Sequence, residues 1–446
     1  RGLQTVLAEQ HDIASGASSA TNGLLSADMR HLESLDWNSV KRALGEQAIV
    51  QQRAPHLVQT REFHIAPNPR IRSSRRLRTG LYLYDLLQSV ELQQPLPTHT
   101  PELYLKPDFN QTHRYTDCTV SDSRLTICNA LLARDLGAEI LTRHKVVAAQ
   151  RQRDGWRLSL QSDPRRTPTS LQAKVLVNAG GRAIDSILRQ TLQVDSRCHT
   201  RLLRSDHLVI DKPFQGEQAY VFQAVDRRLV YLIPYAEKFA VLGATQPLAT
   251  GAEGDSQQAL IELYNRHFNQ PLKASEIRHG YSCVQPIYHD LCGSEADSSS
   301  DYLLDFNCPD ARSPVLTVIG GWLTSSRLLA EQALDILQPY TQAPINRELK
   351  QTPLPGGEFI EAESGALLEL LKRDYPRLDA TLLQRLAKNY GSLALKILGD
   401  CKVEADLGKN FGCGLYGAEV RYPVHHEWAQ TAEDSLLRRT KLGLVM

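Results

Sequence analysis

Residues 314–337, PVLTVIGGWLTSSRLLAEQALDIL, limit the folds open to this chain more than any other segment. An apolar, β-branched run stops at Gly320-Gly321, and leucines and alanines then follow at helical spacing. The segment therefore predicts a buried strand, a tight glycine turn and a helix. The first backbone N–H groups of such a helix are unpaired and carry partial positive charge, which suits a phosphate or the anionic edge of a ring. An ordinary β–α unit without a ligand fits the same pattern.

Length and composition narrow the class of protein. The 446 residues predict about two to three domains with room for buried cores. An apolar content of 42% and a net charge of +1 are ordinary for a globular protein and give no reason to expect a nucleic-acid partner. The longest apolar runs, roughly ten residues, are too short to cross a bilayer, and no signal peptide is expected. Eight scattered cysteines without a C-x-x-C pair indicate a reduced, cytoplasmic compartment and predict neither disulfides nor a metal site.

Hydrophobic patterns order the chain into three regions. Residues 2–9 predict a strand that ends in Glu9, where dinucleotide-binding units carry an acid for the ribose hydroxyls. A helix, a strand, a hairpin and another strand are predicted next, at 124–136, 138–142, 145–160 and 173–178. Short β-branched and aromatic segments between residues 200 and 245 predict an antiparallel sheet. After Gly357 the composition becomes helical.

The motif Gly320-Gly321-x-Leu323-Thr324-x-x-Arg327-x-Leu329-Ala330-Glu331 resembles the last flavin-binding segment of the FAD-dependent glycerol-3-phosphate dehydrogenases. Further matches are HDIASGASSAT (11–21), RAPHLV (53–58), YTDC (115–118) and the tail 419–443, so the resemblance covers nearly the whole chain.

The resemblance implies an α/β fold with three domains. These are a FAD-binding Rossmann-type domain like that of glutathione reductase, an antiparallel β substrate domain and a C-terminal α-helical domain. Their expected ranges are 1–200 with 312–342, 201–311, and 350–446. Family members carry about thirty more residues upstream, with the first strand and its glycine loop, so the chain is expected to be N-terminally truncated.

The resemblance also implies roles for individual residues. In the family, the segment after Gly320 lies against the flavin ring, and its helix N-terminus faces the edge where negative charge develops on reduction. The residues expected to hold FAD are Glu9, Ser18, Ser19, Val146, Ala179, Gly180, Gly181, Gly320, Gly321, Leu323 and Thr324. The expected catalytic and substrate-binding residues are Arg30, Thr324 and Arg327, with His207 and His31 as candidate bases. Asp122 and Arg124 are expected to form a local ion pair, and His425-His426-Glu427 to start a packed helix.

Several positions depart from the family pattern where the substrate would bind. Gly23 and Trp322 stand in place of lysines, Ser26 in place of a histidine beside the flavin, and Gln285 in place of a phosphate-binding arginine; Ser300 matches the position of a further arginine. Each charge-assisted bond to a dianionic substrate contributes about 1.5–3 kcal/mol, so losing two or three costs about 3–9 kcal/mol. Neither glutamine nor tryptophan replaces a guanidinium or an ammonium.

Three functions therefore stay open. The first is the family reaction, oxidation of glycerol 3-phosphate to dihydroxyacetone phosphate with electrons passed to a quinone. For this reaction the resemblance implies peripheral attachment to the inner face of the cytoplasmic membrane, and it leaves a homodimer open. The second is a flavoprotein that oxidises a different, less anionic substrate, with Trp322 as a pocket wall. The third is a non-catalytic paralogue that acts as an interaction module. A free-standing pocket lined by Arg30, Trp322 and Gln285 supports the second function, and a filled pocket supports the third.

Overall fold

The computed structural model describes residues 2–26, 36–66, 74–87, 104–109, 111–165, 167–195, 199–224, 228–244, 255–289, 302–309, 312–341, 350–359 and 364–446. Its strands are β1 (Val6–Glu9), β2 (Leu24–Leu25), β3 (Val58–Ile65), β4 (His113–Val120), β5 (Glu139–Thr142), β6 (Lys145–Gln152), β7 (Gly155–Gln161), β8 (Thr169–Ala173), β9 (Leu176–Asn178), β10 (His199–Asp211), β11 (Ala219–Gln223), β12 (Leu229–Tyr235), β13 (Phe239–Ala244), β14 (Ile277–His289), β15 (Tyr302–Asn307) and β16 (Val315–Gly320). Its longer helices are α1 (Trp37–Arg53), α2 (Ser74–Leu87), α3 (Asp122–Asp135), α4 (Asp255–His267), α5 (Ser326–Thr341), α6 (Ser364–Asp374), α7 (Ala380–Tyr390), α8 (Ala394–Leu398) and α9 (Gly417–His426).

Short parallel pairings form the cofactor side of the molecule. β1 pairs in parallel with β5, and β9 pairs in parallel with β16. The predicted strand, turn and helix of residues 314–337 are present as β16, the glycine turn and α5. Val315, Leu316 and Ile319 are fully buried, as expected for a strand with helices and sheets on both faces.

The single strand predicted at 173–178 is wrong. β8 ends at Ala173 and pairs antiparallel with β7, whereas β9 begins at Leu176 and joins β16. The segment 171–177, LQAKVLV, therefore supplies two different sheets, which its composition alone does not separate.

The antiparallel sheet expected at 201–311 is larger than that range, and it is a mixed sheet because β3 pairs in parallel with β11. Its strand order is β14-β10-β13-β12-β11-β3-β4-β2, so it includes three strands from the N-terminal 120 residues. Phe63 of β3 is fully buried and packs on Tyr115 and Tyr231, at ring-centroid distances of 5.3 and 6.4 Å, which binds the early strands to the later ones. At the other end of the range, β15 pairs with β16 and covers the edge of the cofactor-side sheet. The boundaries at 201 and 311 therefore need this correction, and the division into three domains stays a prediction.

The C-terminal helices form their own core and contact the N-terminal half through buried charges. Helices α6, α7 and α8 pack around a cluster that contains Leu371, Leu383 and Tyr390. Asp12 accepts hydrogen bonds from Arg438, at 2.6 Å, and from Arg439, and all three side chains are buried. Removing one partner of such a buried ion pair is strongly destabilising. These pairs therefore hold the C-terminal segment against the N-terminal half.

Two local predictions about these charges are wrong. Arg124 donates to Glu427 at 2.7 Å and not to Asp122, and the segment His425-His426-Glu427 ends α9 instead of starting a helix. Asp122 lies at the first turn of α3 and accepts bonds from Thr21 Oγ1, at 2.8 Å, and from Lys441. Both charged residues thus pair with residues far along the chain, and these partners cannot be predicted from the neighbouring sequence.

Candidate cofactor and substrate site

A cavity of about 2180 Å³ lies where the carboxyl ends of β1, β9 and β16 meet the large sheet. Ligands of parallel α/β sheets bind outside the carboxyl ends of the strands. Every described residue among the predicted site residues lines this cavity: Glu9, Ser18, Ser19, Val146, Ala179, Gly180, Gly181, His207, Gly320, Gly321, Leu323, Thr324 and Arg327. Arg30 and His31 lie outside the described residues. The structure thus brings the predicted set together, while the role of each residue stays a prediction.

The turn between β16 and α5 forms one side of the cavity through its backbone. Gly320 and Gly321 have φ values of +77° and +106°, a region that side chains rarely adopt. A Cβ atom on Gly321 would also lie 3.1 Å from Cδ1 of Leu329. The hydroxyl of Ser325 accepts a hydrogen bond from the backbone N–H of Trp322 at 3.1 Å and closes the turn. Glycine is therefore required here for the backbone to approach a ligand.

A second glycine turn follows β9. The side-chain oxygen of Asn178 accepts a hydrogen bond from the backbone N–H of Gly180 at 3.2 Å, and Gly181 has a φ of +55°. A Cβ atom on Gly180 would lie only 2.2 Å from Cδ1 of Ile187, so any side chain at this position requires Ile187 to move. The turn leaves Ala179 exposed at the cavity, close to the wall that Val146 lines from β6.

The end of β1 brings a carboxylate and two hydroxyls to the same cavity. Glu9 is the last residue of the strand, and its carboxylate accepts a hydrogen bond from the backbone N–H of His11 at 2.9 Å. Ser18 and Ser19 lie in a 3₁₀ turn, Ala17–Ser19, and both are half-buried. We call the segments 9–19, 178–181 and 320–321 the cofactor wall. A carboxylate for ribose, two close-approach glycine turns and a helix start fit the groups of FAD.

A second set of residues contributes side chains to the lining of the cavity, and we call Ser26, Glu46, His207, Gln285, Trp322 and Arg327 the substrate wall. Arg327 donates to Glu46 at 2.7 and 2.5 Å and also pairs with Glu331 at 2.5 Å. To bind a phosphate, as predicted, the Arg327 guanidinium must either release one of these carboxylates or bond the phosphate while it keeps both. Thr324 connects the two walls, because its hydroxyl donates to the carbonyl of Ser26 at 3.1 Å.

His207 lies on the substrate wall and is only 2% exposed. Its ring stacks on Tyr281, with centroids 4.9 Å apart, and Nδ1 has no hydrogen-bond partner. Burial lowers the pKa of His207 to about 4, so the ring is neutral near pH 7. A neutral imidazole accepts a proton, but the low pKa makes it a poor base.

Sequence reasoning missed the C-terminal contribution to the cavity. Leu437, Arg438 and Leu444 line it together with residues from the first twenty positions. Arg438 also bonds Asp12 and Asp434, so the C-terminal segment supports the cofactor side from behind. The available signal was the adjacent pair Arg438-Arg439 in a segment rich in leucine, because buried arginines need carboxylate partners.

The described ranges contain neither a candidate membrane-spanning helix nor a candidate metal site. Within them, no helix combines the length and the apolar character that a bilayer crossing requires. Among the same residues, no group of three or more His, Cys, Asp or Glu side chains is arranged to hold a metal ion.

Comparisons with known proteins agree with this architecture. Residues 1–325 match the family model of FAD dependent oxidoreductases, and residues 348–446 match the C-terminal domain of alpha-glycerophosphate oxidase. The chain is 37% identical to the glycerol-3-phosphate dehydrogenase of Pseudomonas aeruginosa, over 100% of this chain and 88% of that protein. It is 32% identical to the D-erythritol 1-phosphate dehydrogenase of Brucella abortus, over 99% and 90%. Its fold is similar to that of the FAD-complexed glycerol-3-phosphate dehydrogenase from Bacillus halodurans, with a TM-score of 0.76 and 22% identity over 99% of this chain and 81% of that chain. The chain therefore belongs to the FAD-dependent oxidoreductases, in the glycerol-3-phosphate dehydrogenase family, and its cofactor is FAD.

Proposed function

We propose that this protein oxidises a phosphorylated polyol, with glycerol 3-phosphate as the first candidate and dihydroxyacetone phosphate as the product. The observation that carries the proposal is one cavity that is lined both by the glycine turns of the cofactor wall and by the side chains of the substrate wall. Relatives at 37% and 32% identity are named for two phosphorylated polyols, which gives the substrate class.

The cofactor wall would hold FAD, which supplies the acceptor for the hydride that leaves the alcohol carbon. Glu9 would bind the ribose hydroxyls, and Ser18 and Ser19 would bind near the pyrophosphate. Val146, Ala179, Gly180 and Gly181 would border the adenylate. Gly320, Gly321 and Leu323 would lie against the flavin ring, where the start of α5 stabilises negative charge.

The substrate wall would orient the alcohol. Arg327 would reach the phosphate by sharing its guanidinium with Glu46 and Glu331, assisted by Arg30, and Thr324 would fix the turn beside the reacting carbon. His207 is the candidate base predicted from the family resemblance. Its low pKa and its stacking on Tyr281 argue that it packs the site instead of carrying the proton.

A second candidate, oxidation of a larger or less anionic substrate, is favoured by one specific feature. The charge of Arg327 is already balanced by two carboxylates, and Trp322 and Gln285 line the cavity where the family has cations. A non-catalytic role is less favoured, because the cavity is open and not filled by side chains.

Electron transfer to a quinone and contact with a membrane surface belong to the same proposal. Arg78, Tyr82 and Leu86 are spaced by four residues on α2, so they share one helix face. All three are exposed, and Tyr82 and Leu86 each retain 63% exposure. An exposed aromatic and aliphatic stripe with a cation supports peripheral binding at a lipid interface. Flotation with anionic vesicles tests it, and Tyr82→Ser with Leu86→Ser is expected to abolish the binding.

The deciding experiment is an anaerobic titration of the FAD-loaded protein with glycerol 3-phosphate, followed at the visible flavin band. D-erythritol 1-phosphate and unphosphorylated glycerol serve as parallel ligands. Rapid bleaching by glycerol 3-phosphate is the expected result. Bleaching only by the larger polyol phosphate supports the second candidate, and a flavin that all three leave oxidised contradicts the proposal.

A further inference from the structure

A buried carboxyl group lies directly behind the substrate wall. Asp117, on β4, is 1% exposed. Its Oδ1 atom accepts hydrogen bonds from Gln47 Nε2, at 2.7 Å, and from the backbone N–H of Cys118, at 2.8 Å. Its Oδ2 atom accepts a bond from the Tyr84 hydroxyl at 3.2 Å. These three groups hold one carboxyl in a fixed orientation, which packing alone does not require.

Ser26 connects this carboxyl to the cavity. Its hydroxyl is hydrogen-bonded to Asp117, and the residue lines the cavity. Its carbonyl accepts the bond from the Thr324 hydroxyl at 3.1 Å, which fixes it against the turn that follows Gly321. Gln47 adds a second support, because its amide donates both to the Leu25 carbonyl and to Asp117. One hydroxyl thus stands between the reaction space and a buried proton acceptor.

We propose that Ser26 and Asp117 form the path by which the substrate alcohol loses its proton; this inference rests on the proposed function. The substrate O–H donates to the Ser26 oxygen while the Ser26 proton moves to the Asp117 carboxylate. FAD, when bound by the cofactor wall, would supply the acceptor for the hydride of the alcohol carbon, and the electron pair of the broken O–H bond would form the carbonyl. Two electrons and one proton leave with the hydride, and the second proton resides on Asp117.

The pKa of Asp117 suits the role of proton acceptor. Burial raises the pKa of Asp117 to about 7, although bonds from Cys118, Ser26, Gln47 and Tyr84 oppose the rise. A base works best when its pKa lies near the working pH. The carboxyl is hydrogen-bonded by Ser26 beside β2, Gln47 on α1 and Tyr84 on α2. Across the sheet, Arg61 on β3 is the register partner of Asp117, and its guanidinium donates to Thr119 and Glu217. The charge of Asp117 also acts on the phenol of Tyr115 on β4. The phenol pKa of Tyr115 is raised far above its usual range by burial, so that ring stays neutral.

The test uses the FAD-loaded protein and three variants, Asp117→Asn, Ser26→Ala and Ser26→Thr. In single-turnover reduction by glycerol 3-phosphate, the wild-type rate should rise with pH, reach half of its maximum near pH 7 and level off about one pH unit higher. Asp117→Asn should lower the rate by about 10²–10⁴-fold, the usual contribution of a positioned base, and remove this pH dependence. Ser26→Ala should lose most of the rate, and Ser26→Thr, which keeps a hydroxyl, should restore it.

An infrared pH titration without substrate gives a readout that is independent of turnover. The carbonyl stretch of a protonated carboxyl should titrate near pH 7 in the wild type, shift in Ser26→Ala and disappear in Asp117→Asn. Asp85→Asn is the matched control, because burial also raises the pKa of Asp85, the residue after Tyr84 on α2, and its removal should leave the Asp117 band in place.

The outcomes separate the inference from the proposed function. If glycerol 3-phosphate reduces the wild type and Asp117→Asn equally fast, with the same pH profile, the inference is overturned alone. The same holds if Ser26→Ala retains the wild-type rate, which remains informative should Asp117→Asn fail to fold. If no phosphorylated polyol reduces the wild-type flavin, the proposed function fails and this inference fails with it.

Discussion

The two walls of the cavity are built by different means. The cofactor wall depends on backbone geometry, with positive φ at Gly181, Gly320 and Gly321 and one carboxylate at the end of a strand. The substrate wall depends on long side chains, and its principal cation, Arg327, is already bonded to Glu46 and Glu331. A cofactor therefore meets a surface that is shaped in advance, whereas an anionic substrate must compete with ion pairs inside the protein.

This contrast explains why one half of the site fits its ligand more closely than the other. Every residue carries the same backbone groups, so the shape of the cofactor wall tolerates most substitutions outside its glycine turns. Side-chain charges change with one codon, and Gln285 and Trp322 stand where cations are expected. Variants that restore or remove single charges are therefore the sharpest means of testing the difference.

Restoring the two cations should have the largest effect. Trp322→Lys combined with Gln285→Arg adds two charge-assisted contacts to the phosphate, worth about 1.5–3 kcal/mol each. The apparent Kd for glycerol 3-phosphate should fall by about 10²–10⁴-fold, measured from the dependence of the single-turnover reduction rate on its concentration. Unphosphorylated glycerol is the control, and its binding should not change. An equal change for both ligands would mean that the variants reshape the pocket instead of binding phosphate.

Distorting the cofactor wall should have the next largest effect. In Gly321→Val, a β-branched side chain must adopt a φ of +106° and contact Leu329, at a cost near the upper end of about 1–3 kcal/mol. The variant should lose FAD during gel filtration, measured by the ratio of visible to ultraviolet absorbance. Gly137→Val is the control, because its φ of +96° imposes similar strain with nothing within 4 Å of its Cβ atom. Comparable flavin loss in both variants would trace the effect to general destabilisation.

The same contrast decides how much the sequence predicts. The strand, turn and helix around Gly320-Gly321 were predictable because glycine, apolar runs and helical spacing are local signals. The partners of Arg124 and Asp12 were not, because Glu427 and Arg439 lie far along the chain and only packing brings them together. The strand 173–178 failed for a related reason: a local pattern marks extended backbone but not the sheet that it joins. The pairing of Arg327 with Glu46 also cannot be predicted without the fold. It matters because it occupies the guanidinium expected to bind the phosphate.

His207 allows the substrate wall to be tested through stability. Its pKa in the folded protein, about 4, lies below the ordinary value of 6.5, so the unfolded chain binds more protons between these limits. Stability is therefore lost as the pH falls from about 6.5 towards 4. At pH 5 the penalty is about 2 kcal/mol, from 1.4 kcal/mol per pKa unit. In His207→Asn, the difference in unfolding free energy between pH 7.5 and pH 5 should shrink by that amount, measured by urea denaturation. An unchanged difference would show that the ring is protonated at little cost.

The smallest expected effect on Kd is that of Glu46→Gln, which tests whether Arg327 binds the phosphate or only stabilises the fold. Glu46→Gln removes one of its two carboxylate partners and keeps the side-chain shape, leaving Glu331 in place. If Arg327 binds the phosphate, the freed charge should strengthen glycerol 3-phosphate binding by about 1 kcal/mol, the scale of a partly exposed ion pair. This corresponds to a roughly fivefold lower Kd. Glu331→Gln is the matched control at the more exposed carboxylate and should give a smaller gain. Weaker binding in Glu46→Gln would instead assign Arg327 to the support of α1 and α5, and the substrate wall would then hold its ligand through other groups.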